Sequence, residues 1–189
     1  MRVGETMTVK KGKSRVNRKK CRQFKVGDLA VYPAHGVGRI SAIESKVING
    51  EKHDFYIMQV MENEMVIMIP TSNVESVGLR DVIKTSDIPK IYDIMKNRDD
   101  ATMDNQTWNR RYREYMDKIK TGSLFEVAEV YRDLFILKLS KDLSFGERKL
   151  YDTAQALLVS ELSTARDTDD ETILTEIESL FPQQAPAAQ

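Results

Sequence analysis

A short stretch with one tryptophan and three arginines, running from Trp108 to Arg113, is the part of the sequence best suited to binding another molecule. It holds the only tryptophan in the chain, followed by Arg110, Arg111, Tyr112 and Arg113. Arginine binds phosphate oxygens through two parallel hydrogen bonds, and an aromatic ring can wedge against an unstacked base. The stretch therefore suits a nucleic acid, and the candidate DNA-binding residues are Trp108, Arg110, Arg111 and Arg113.

The same stretch also fits an ordinary amphipathic helix. Thr107 can cap the helix, and apolar residues then recur at helical spacing: Trp108, Tyr112, Tyr115, Met116 and Ile119. In this interpretation the indole belongs to the core, and the charged residues form i,i+4 pairs on a solvated face, Arg110 with Glu114 and Arg113 with Asp117. The spacing alone leaves both interpretations open.

Residues that could support catalysis or hold a metal are scarce. The chain has two histidines, His35 and His53, and one cysteine, Cys21. These residues provide no metal-ligand spacing and no internal disulfide. The sequence also lacks a convincing nucleophile and base pair and a glycine-rich phosphate loop. We therefore expect a protein that is not an enzyme and has no metal, no cofactor and no catalytic residue.

Charge is distributed unevenly along the chain, although the formal net charge is zero. Residues 1–23 carry nine positive side chains and one negative, whereas residues 24–189 carry 20 positive and 28 negative. The basic segment has almost no apolar periodicity and cannot bury enough surface to offset the entropy lost on ordering, so we expect a disordered tail. That tail is either a non-specific phosphate-binding arm or a solubilising extension.

Neither a signal peptide nor a membrane span is predicted. The N-terminus lacks the apolar region of a signal peptide, and no apolar run approaches the roughly 18 residues that a transmembrane helix needs. We therefore expect a cytoplasmic protein with no membrane partner. We also expect it to be a monomer.

From Phe24 onward the pattern is that of a small β-domain. Strands are predicted over residues 29–32, 37–47, 55–61 and 65–69, and residues 74–77 could add a fifth. Asn49 and Gly50 predict a two-residue hairpin turn, because both residues tolerate positive φ. Four or five meandering strands in roughly 50 residues are typical of a small Tudor-like or SH3-like barrel. We assign residues 24–82 to this domain, a binding module without chemistry of its own.

After Val77 the pattern becomes helical, and an α-helical domain is predicted over residues 83–181. A first helix should begin near Asp87 with Pro89 in its first turn, and Gly122 should end the helix that starts at Trp108. Three S/T-x-x-E capping boxes open further segments: Ser123 with Glu126, Ser144 with Glu147, and Thr168 with Glu171. The predicted fold class is therefore α+β, a barrel followed by five helices, with residues 182–189 as a disordered tail.

Several of these motifs resemble those of the CarD/CdnL family of bacterial transcription regulators. The resemblance covers roughly residues 24–181, and both the order and the spacing of the motifs match. They are Phe24-Lys25-Val26-Gly27-Asp28, Val31-Tyr32-Pro33 with His35-Gly36, Asn49-Gly50-Glu51, Val77-Gly78-Leu79-Arg80-Asp81-Val82, Trp108-Asn109-Arg110-Arg111-Tyr112, and Val127-Ala128-Glu129-Val130 with Arg132-Asp133-Leu134.

The resemblance implies a function for each domain. The Tudor-like domain is expected to bind the β subunit of RNA polymerase, and the helical domain is expected to contact promoter DNA. In the family, the tryptophan that matches Trp108 wedges into the minor groove at the upstream edge of the transcription bubble and stabilises the open promoter complex.

The resemblance also indicates where polymerase would dock. Arginines at the family's polymerase-facing positions align with Lys46 and Met68, which changes the chemistry because lysine lacks the planar fork and methionine lacks the charge. The matching segment lies at a strand edge, so edge-strand pairing is expected near Lys46, Val47 and Ile48. The candidate polymerase-binding residues are Lys46, Val47, Ile48 and Met68.

An alternative function shares the Tudor-like module. Transcription-repair coupling factors contain a related polymerase-interacting domain, but their motor needs a phosphate loop that this sequence lacks. The chain could therefore act as an adaptor on polymerase without wedging into DNA.

Overall fold

A computed structural model describes residues 24–97 and 107–181. The predicted tails, residues 1–23 and 182–189, lie outside the described residues, as do residues 98–106. Within the two described ranges, no helix is both long enough and apolar enough to cross a membrane.

The first unit is a curled, four-stranded antiparallel half-barrel, which confirms the predicted α+β fold with a Tudor-like N-terminal domain. Its strands are β1 (Leu29–Tyr32), β2 (Gly36–Ile48), β3 (Glu51–Val60) and β4 (Val66–Pro70), and they pair in the order β1-β2-β3-β4. A bulge between Ile40 and Ala42 shifts the register of β2 against β3. Because bulges increase local twist and bend the strand, this one helps the sheet to curl over its own core.

The β2–β3 turn forms as predicted. Asn49 and Gly50 have φ values of 53° and 83°, the left-handed region required by a two-residue hairpin turn. Inside the curl, the sheet buries one alternating face, and the fully buried members include Ile40, Met58 and Ile69.

The predicted fifth strand at residues 74–77 is wrong. After Pro70 the chain turns through a short 3₁₀ segment, Thr71–Asn73, and Val74 is buried against the core of the half-barrel. Gly78 then reverses the chain with a φ of 73°. The sheet is extended instead by an isolated antiparallel bridge between Val31 and Arg80. The apolar residues at 74–77 correctly indicated that this segment is partly buried. A side chain in a turn can be buried as well as one in a strand, so burial alone did not identify a strand.

Five α-helices follow in the described residues, as predicted. They are α1 (Ile88–Lys96), α2 (Trp108–Thr121), α3 (Leu124–Ser140), α4 (Phe145–Arg166) and α5 (Asp170–Ser179). Gly122 ends α2 in the left-handed conformation, with a φ of 75°. Helix α3 lies at the centre of the unit, since α1, α2 and α4 all pack against it.

One of the three predicted capping boxes forms, and the other two are wrong. Ser144 and Glu147 make the reciprocal pair of hydrogen bonds that starts α4. The Ser123 side chain makes no capping bond, and the Glu126 carboxylate accepts from the Thr121 hydroxyl rather than from the Ser123 backbone. Helix α5 is capped by Asp169, which accepts from the Thr172 backbone, one residue later than the predicted Thr168 cap. Threonine and aspartate are both good caps, so the sequence signature alone does not select between Thr168 and Asp169.

Candidate nucleic-acid interface

Trp108 is the first residue of α2, directly after the extended N-cap residue Thr107. Its indole is half-buried and packs on the edge of the helical core. One side of the ring lies against the start of α4, where a Cβ added to Gly146 would be 2.8 Å from Trp108 Cζ2. The Tyr112 ring is one turn away, with 5.4 Å between the ring centroids. The indole is thus held by neighbours on one side, while part of its surface stays accessible.

Phe145 is the most exposed large apolar residue in the described chain, and it directly precedes Gly146, which packs against this tryptophan. Its exposed fraction is 87%, and it is the first residue of α4, next to Gly146. Trp108, Tyr112 and Phe145 together are called the aromatic patch below. An aromatic side chain that is this exposed at a capped helix start adds little to the core of the protein. Its position therefore indicates a binding role.

Phe145 is not among the binding residues predicted from the sequence, although a signal was present. Its i+3 and i+4 neighbours are Arg148 and Lys149, so it lies off the apolar stripe that begins at Leu150. The signal is an aromatic residue at the first position of a capped helix, followed one turn later only by cations. This pattern indicates an exposed aromatic side chain.

The three candidate arginines are not equivalent. Arg110 and Arg113 are exposed and free to reach a phosphate. Arg111 keeps only 16% of its side chain exposed, donates to Glu147 Oε1 at 3.2 Å, and places its guanidinium carbon 5.9 Å from the centroid of the Trp108 ring. This geometry favours Arg111 as a support that holds the indole from beneath by a cation–π contact.

Glu147 connects the starts of α2 and α4. This buried carboxylate accepts from the Ser144 backbone N–H at 2.8 Å and from Lys141 Nζ at 3.2 Å, in addition to Arg111. Burial raises the pKa of Glu147, but the hydrogen bonds from Ser144 and Lys141 outweigh it, and the net pKa is lowered. The group is therefore ionised at neutral pH and fixes Arg111, and through it Trp108, against α4.

An open cleft of about 440 Å³ borders the aromatic patch. Its lining residues include Phe145, Arg148 and Lys149, and also Glu62 of the sheet unit and Asp152. Arg148 and Lys149 are exposed, so cations flank Phe145 as well as Trp108. The two carboxylates offset part of this charge.

The candidate polymerase-binding residues Lys46, Val47 and Ile48 lie near the end of the long β2–β3 hairpin. β1 pairs with β2 only over residues 36–39, so the outer edge of β2 beyond Ile40 has no strand partner among the described residues. Val47 and Ile48 are 72% and 45% exposed. An open edge with exposed apolar residues is the arrangement to which another strand can be added.

Met68 shares a face of the sheet with Lys46. Along β3, His53 is opposite Lys46 and Ile57 is opposite Met68, and residues four apart on a strand point to the same side. Met68 is 44% exposed on β4, the last strand of the sheet, and Val66 beside it on the same face is 63% exposed. The sheet thus has a second open edge, at β4. This edge was not predicted from the sequence, and Val66 is an additional exposed residue on it.

Metal-binding potential is low in the described residues. No group of three His, Cys, Asp or Glu residues there could hold a metal ion. The His35 ring packs near Tyr32, with 5.5 Å between ring centroids, and His53 Nε2 is 3.9 Å from Glu51 Oε2 on the hairpin. His35 therefore lies in a turn, and His53 lies on a surface strand.

Two family models match the chain over most of its length. The model described as CarD-like/TRCF RID domain matches residues 24–83, and the model described as CarD, C-terminal domain matches residues 90–178. The chain is also 37% identical over 150 residues to YdeB of Bacillus subtilis (strain 168), a protein named as a candidate transcription factor. That alignment covers 79% of this chain and 97% of YdeB.

Two solved structures from Myxococcus xanthus are similar to part of the chain. CdnLNt is 48% identical and covers 33% of this chain and 87% of its own, with a TM-score of 0.29. The 72-residue N-terminal domain of CarD is 42% identical and covers 31% of this chain and 79% of its own, with a TM-score of 0.28.

Proposed function

The chain belongs to the CarD family of transcription regulators, and we propose that it binds the RNA polymerase β subunit and stabilises the open promoter complex at the upstream edge of the bubble. The family places the protein in transcription, with a domain of the RNA polymerase-interacting type. The proposal adds the subunit, the DNA contact and the step on which the protein acts. It requires no catalysis, no cofactor and no second copy of the chain.

The observation that carries the proposal is the aromatic patch at two adjoining helix starts. Trp108 is half-buried and packs against Gly146 and Arg111, while Phe145, the residue before Gly146, is 87% exposed. A wedge needs both properties, because a mobile ring would lose entropy on insertion and a fully buried ring could not reach a base. The patch is therefore suited to contact an unstacked base step.

The energetics favour action after the strands have begun to separate. Unstacking a base step in intact duplex costs a few kcal/mol, so the wedge gains little there. At the edge of an existing bubble that cost is already met, and about 1.4 kcal/mol of contact shifts the open population tenfold. The exposed Arg110 and Arg113 would hold neighbouring phosphates and set the approach of the indole, without reading sequence.

Polymerase binding is assigned to the open strand edges of the half-barrel. The exposed Val47 and Ile48 on β2 and Met68 on β4 provide apolar contacts beside unpaired backbone groups. Lys46 lies 3.8 Å from Glu44, an exposed ion pair that adds little to stability. Its charge is therefore available to an acidic partner surface.

The decay of heparin-challenged promoter complexes tests the proposal. Trp108→Ala and Phe145→Ala should each shorten the half-life severalfold, whereas Val26→Ala, which removes an exposed apolar residue of the sheet unit, should not. Because the indole is only half-buried, Trp108→Ala should lose less than the roughly 3–5 kcal/mol expected of a core tryptophan.

A pull-down with the isolated β subunit separates the two halves of the proposal. Binding should be unchanged in both aromatic variants. Unchanged decay with retained β binding would support the adaptor alternative, in which the protein occupies polymerase without wedging into DNA.

A further inference from the structure

Arg80 belongs to the sheet through its backbone. The Val31 N–H donates to the Arg80 carbonyl at 2.7 Å, and the Arg80 N–H donates to the Val31 carbonyl at 3.1 Å. This two-way bridge extends the sheet beyond β1. The backbone of Arg80 therefore moves with the half-barrel.

The side chain of the same residue belongs to the helical unit. Arg80 Nη1 and Nη2 donate to the two carboxylate oxygens of Glu161, at 2.5 and 2.8 Å. Arg80 Nε donates to the Gly122 carbonyl at 2.7 Å, in the turn between α2 and α3. Glu161 lies on α4 with 3% of its side chain exposed, and it also accepts from the Ile83 backbone N–H at 3.0 Å. A planar guanidinium with three fixed acceptors admits a single orientation.

Close backbone packing surrounds this ion pair. A Cβ on Gly122 would lie 2.8 Å from Pro33 Cγ, and a Cβ on Gly36 would lie 3.2 Å from a Leu157 methyl. The β1–β2 turn thus fits against the α2–α3 turn and against α4. Apolar side chains of both units, among them Val31, Ile119 and Leu157, line the same junction. Within the described residues, the Arg80–Glu161 pair adds a directional contact to this packing.

Helix α4 extends this restraint to the aromatic patch. Glu161 is 16 positions after Phe145 on one continuous helix, which corresponds to about 24 Å at 1.5 Å per residue. The same helix presents Phe145 and Gly146 at its start and Glu161 near its other end. Any rotation of α4 about the junction would therefore move the patch relative to the β2 and β4 edges.

We propose that the Arg80–Glu161 pair is a positioning clamp that fixes the orientation of the aromatic patch relative to the polymerase-binding strands. The proposal rests on the proposed function, because the clamp matters only if both surfaces are engaged together. With the half-barrel held by polymerase, a rigid junction keeps the wedge at a high effective concentration at the bubble edge. A loosened junction spreads the wedge over a larger volume, which lowers that concentration.

Two variants loosen the clamp in different ways. Glu161→Gln keeps the shape of the side chain but removes the charge, and Arg80→Lys keeps the charge but loses the planar fork and the Nε bond to Gly122. The matched control is Glu176→Gln, which breaks the Arg166–Glu176 pair between α4 and α5 inside the helical unit. If one clamp variant fails to fold, the other still tests the proposal.

Spin labels measure the orientation directly. With Cys21→Ser as background, cysteines introduced by Lys52→Cys on the hairpin and Glu171→Cys on α5 report the distance between the units in the full chain. The distribution should be narrow in the parent and in Glu176→Gln, and it should broaden in both clamp variants. If the ion pair only stabilised the fold, the clamp variants would have a lower melting temperature but an equally narrow distance distribution. That result would overturn the proposal.

Promoter-complex decay supplies the functional measurement. The clamp variants should retain β-subunit binding and shorten the half-life by about threefold to tenfold, a partial loss of the tethering advantage. If Trp108→Ala shortens the half-life and neither clamp variant does, the clamp is overturned and the proposed function stands. If Trp108→Ala has no effect, the proposed function fails, and the clamp is judged on the distance distribution alone.

Discussion

Gly146→Ala should displace the indole of Trp108 without weakening the fold. The added Cβ would lie 2.8, 3.6 and 3.7 Å from Trp108 Cζ2, Cε2 and Cη2. Carbon atoms in favourable contact are about 3.5–4.0 Å apart, so the ring must retreat by about 0.7–1.2 Å. Trp108 is the first residue of α2 and has space on its exposed side, so the ring can move outward.

The expected change in stability is small because two effects oppose each other. Alanine in place of glycine within a helix stabilises by about 0.5–1 kcal/mol. The displaced ring loses a comparable amount of packing, so the net change should stay within about 1 kcal/mol, a shift of roughly 2–4 °C in melting temperature. If the misplaced wedge loses about 1 kcal/mol of contact with an unstacked step, the open-complex half-life falls about fivefold.

The assay uses the single tryptophan of the chain. Intrinsic emission of the free protein reports on the indole alone, and it should shift to longer wavelength as the ring becomes more exposed in Gly146→Ala. Thr164→Ala, about 27 Å along α4 by helix rise, is the matched control, since it also raises helix propensity but lies far from the patch. A shifted emission with an unchanged half-life would refute the idea that the position of the indole sets complex lifetime.

Three further predictions concern the polymerase edge, the basic tail and the buried carboxylate. Ile48→Asp should weaken pull-down by the β subunit because it places a charge at an apolar strand edge, while Val26→Asp should not; equal binding by both variants would move the interface elsewhere. Deleting residues 1–23 should reduce the slope of log K against log salt for promoter DNA if the tail binds phosphates, and an unchanged slope would leave it as a solubilising extension. The lowered pKa of Glu147 contributes stability that is present above the unfolded value of about 4.3 and is lost as pH falls through the folded pKa. Glu147→Gln should therefore be less stable at neutral pH and lose less stability between about pH 5 and pH 3 in urea titrations; parallel pH curves would contradict this.

Local signals predicted most of the elements. Alternation of apolar residues and the Asn49-Gly50 turn located the first four strands to within a few residues, because both signals act over short distances. Gly122 and the Ser144–Glu147 pair were equally reliable, since a left-handed residue and a reciprocal cap need no distant partner.

Features that depend on tertiary contacts were missed or misassigned. The segment at residues 74–77 reads as a strand, but it turns because its apolar side chain fills the curl of the sheet. In the sequence, Arg111 cannot be distinguished from Arg110 and Arg113. Its different role depends on the packing of α4, which places Glu147 at 3.2 Å from it. The Arg80–Glu161 pair joins residues 81 positions apart, and no local pattern predicts such a pair.

The most direct test of the central claim is a site-specific photo-crosslink from position 108. A benzophenone amino acid in place of Trp108 keeps an aromatic side chain at the start of α2, and irradiation within a promoter complex marks what that side chain touches. We expect crosslinks to promoter DNA at the upstream edge of the bubble. They should form when polymerase and the open promoter are present, and they should be absent with duplex DNA alone. Crosslinks confined to protein, or equal crosslinking to duplex DNA without polymerase, would contradict the central claim.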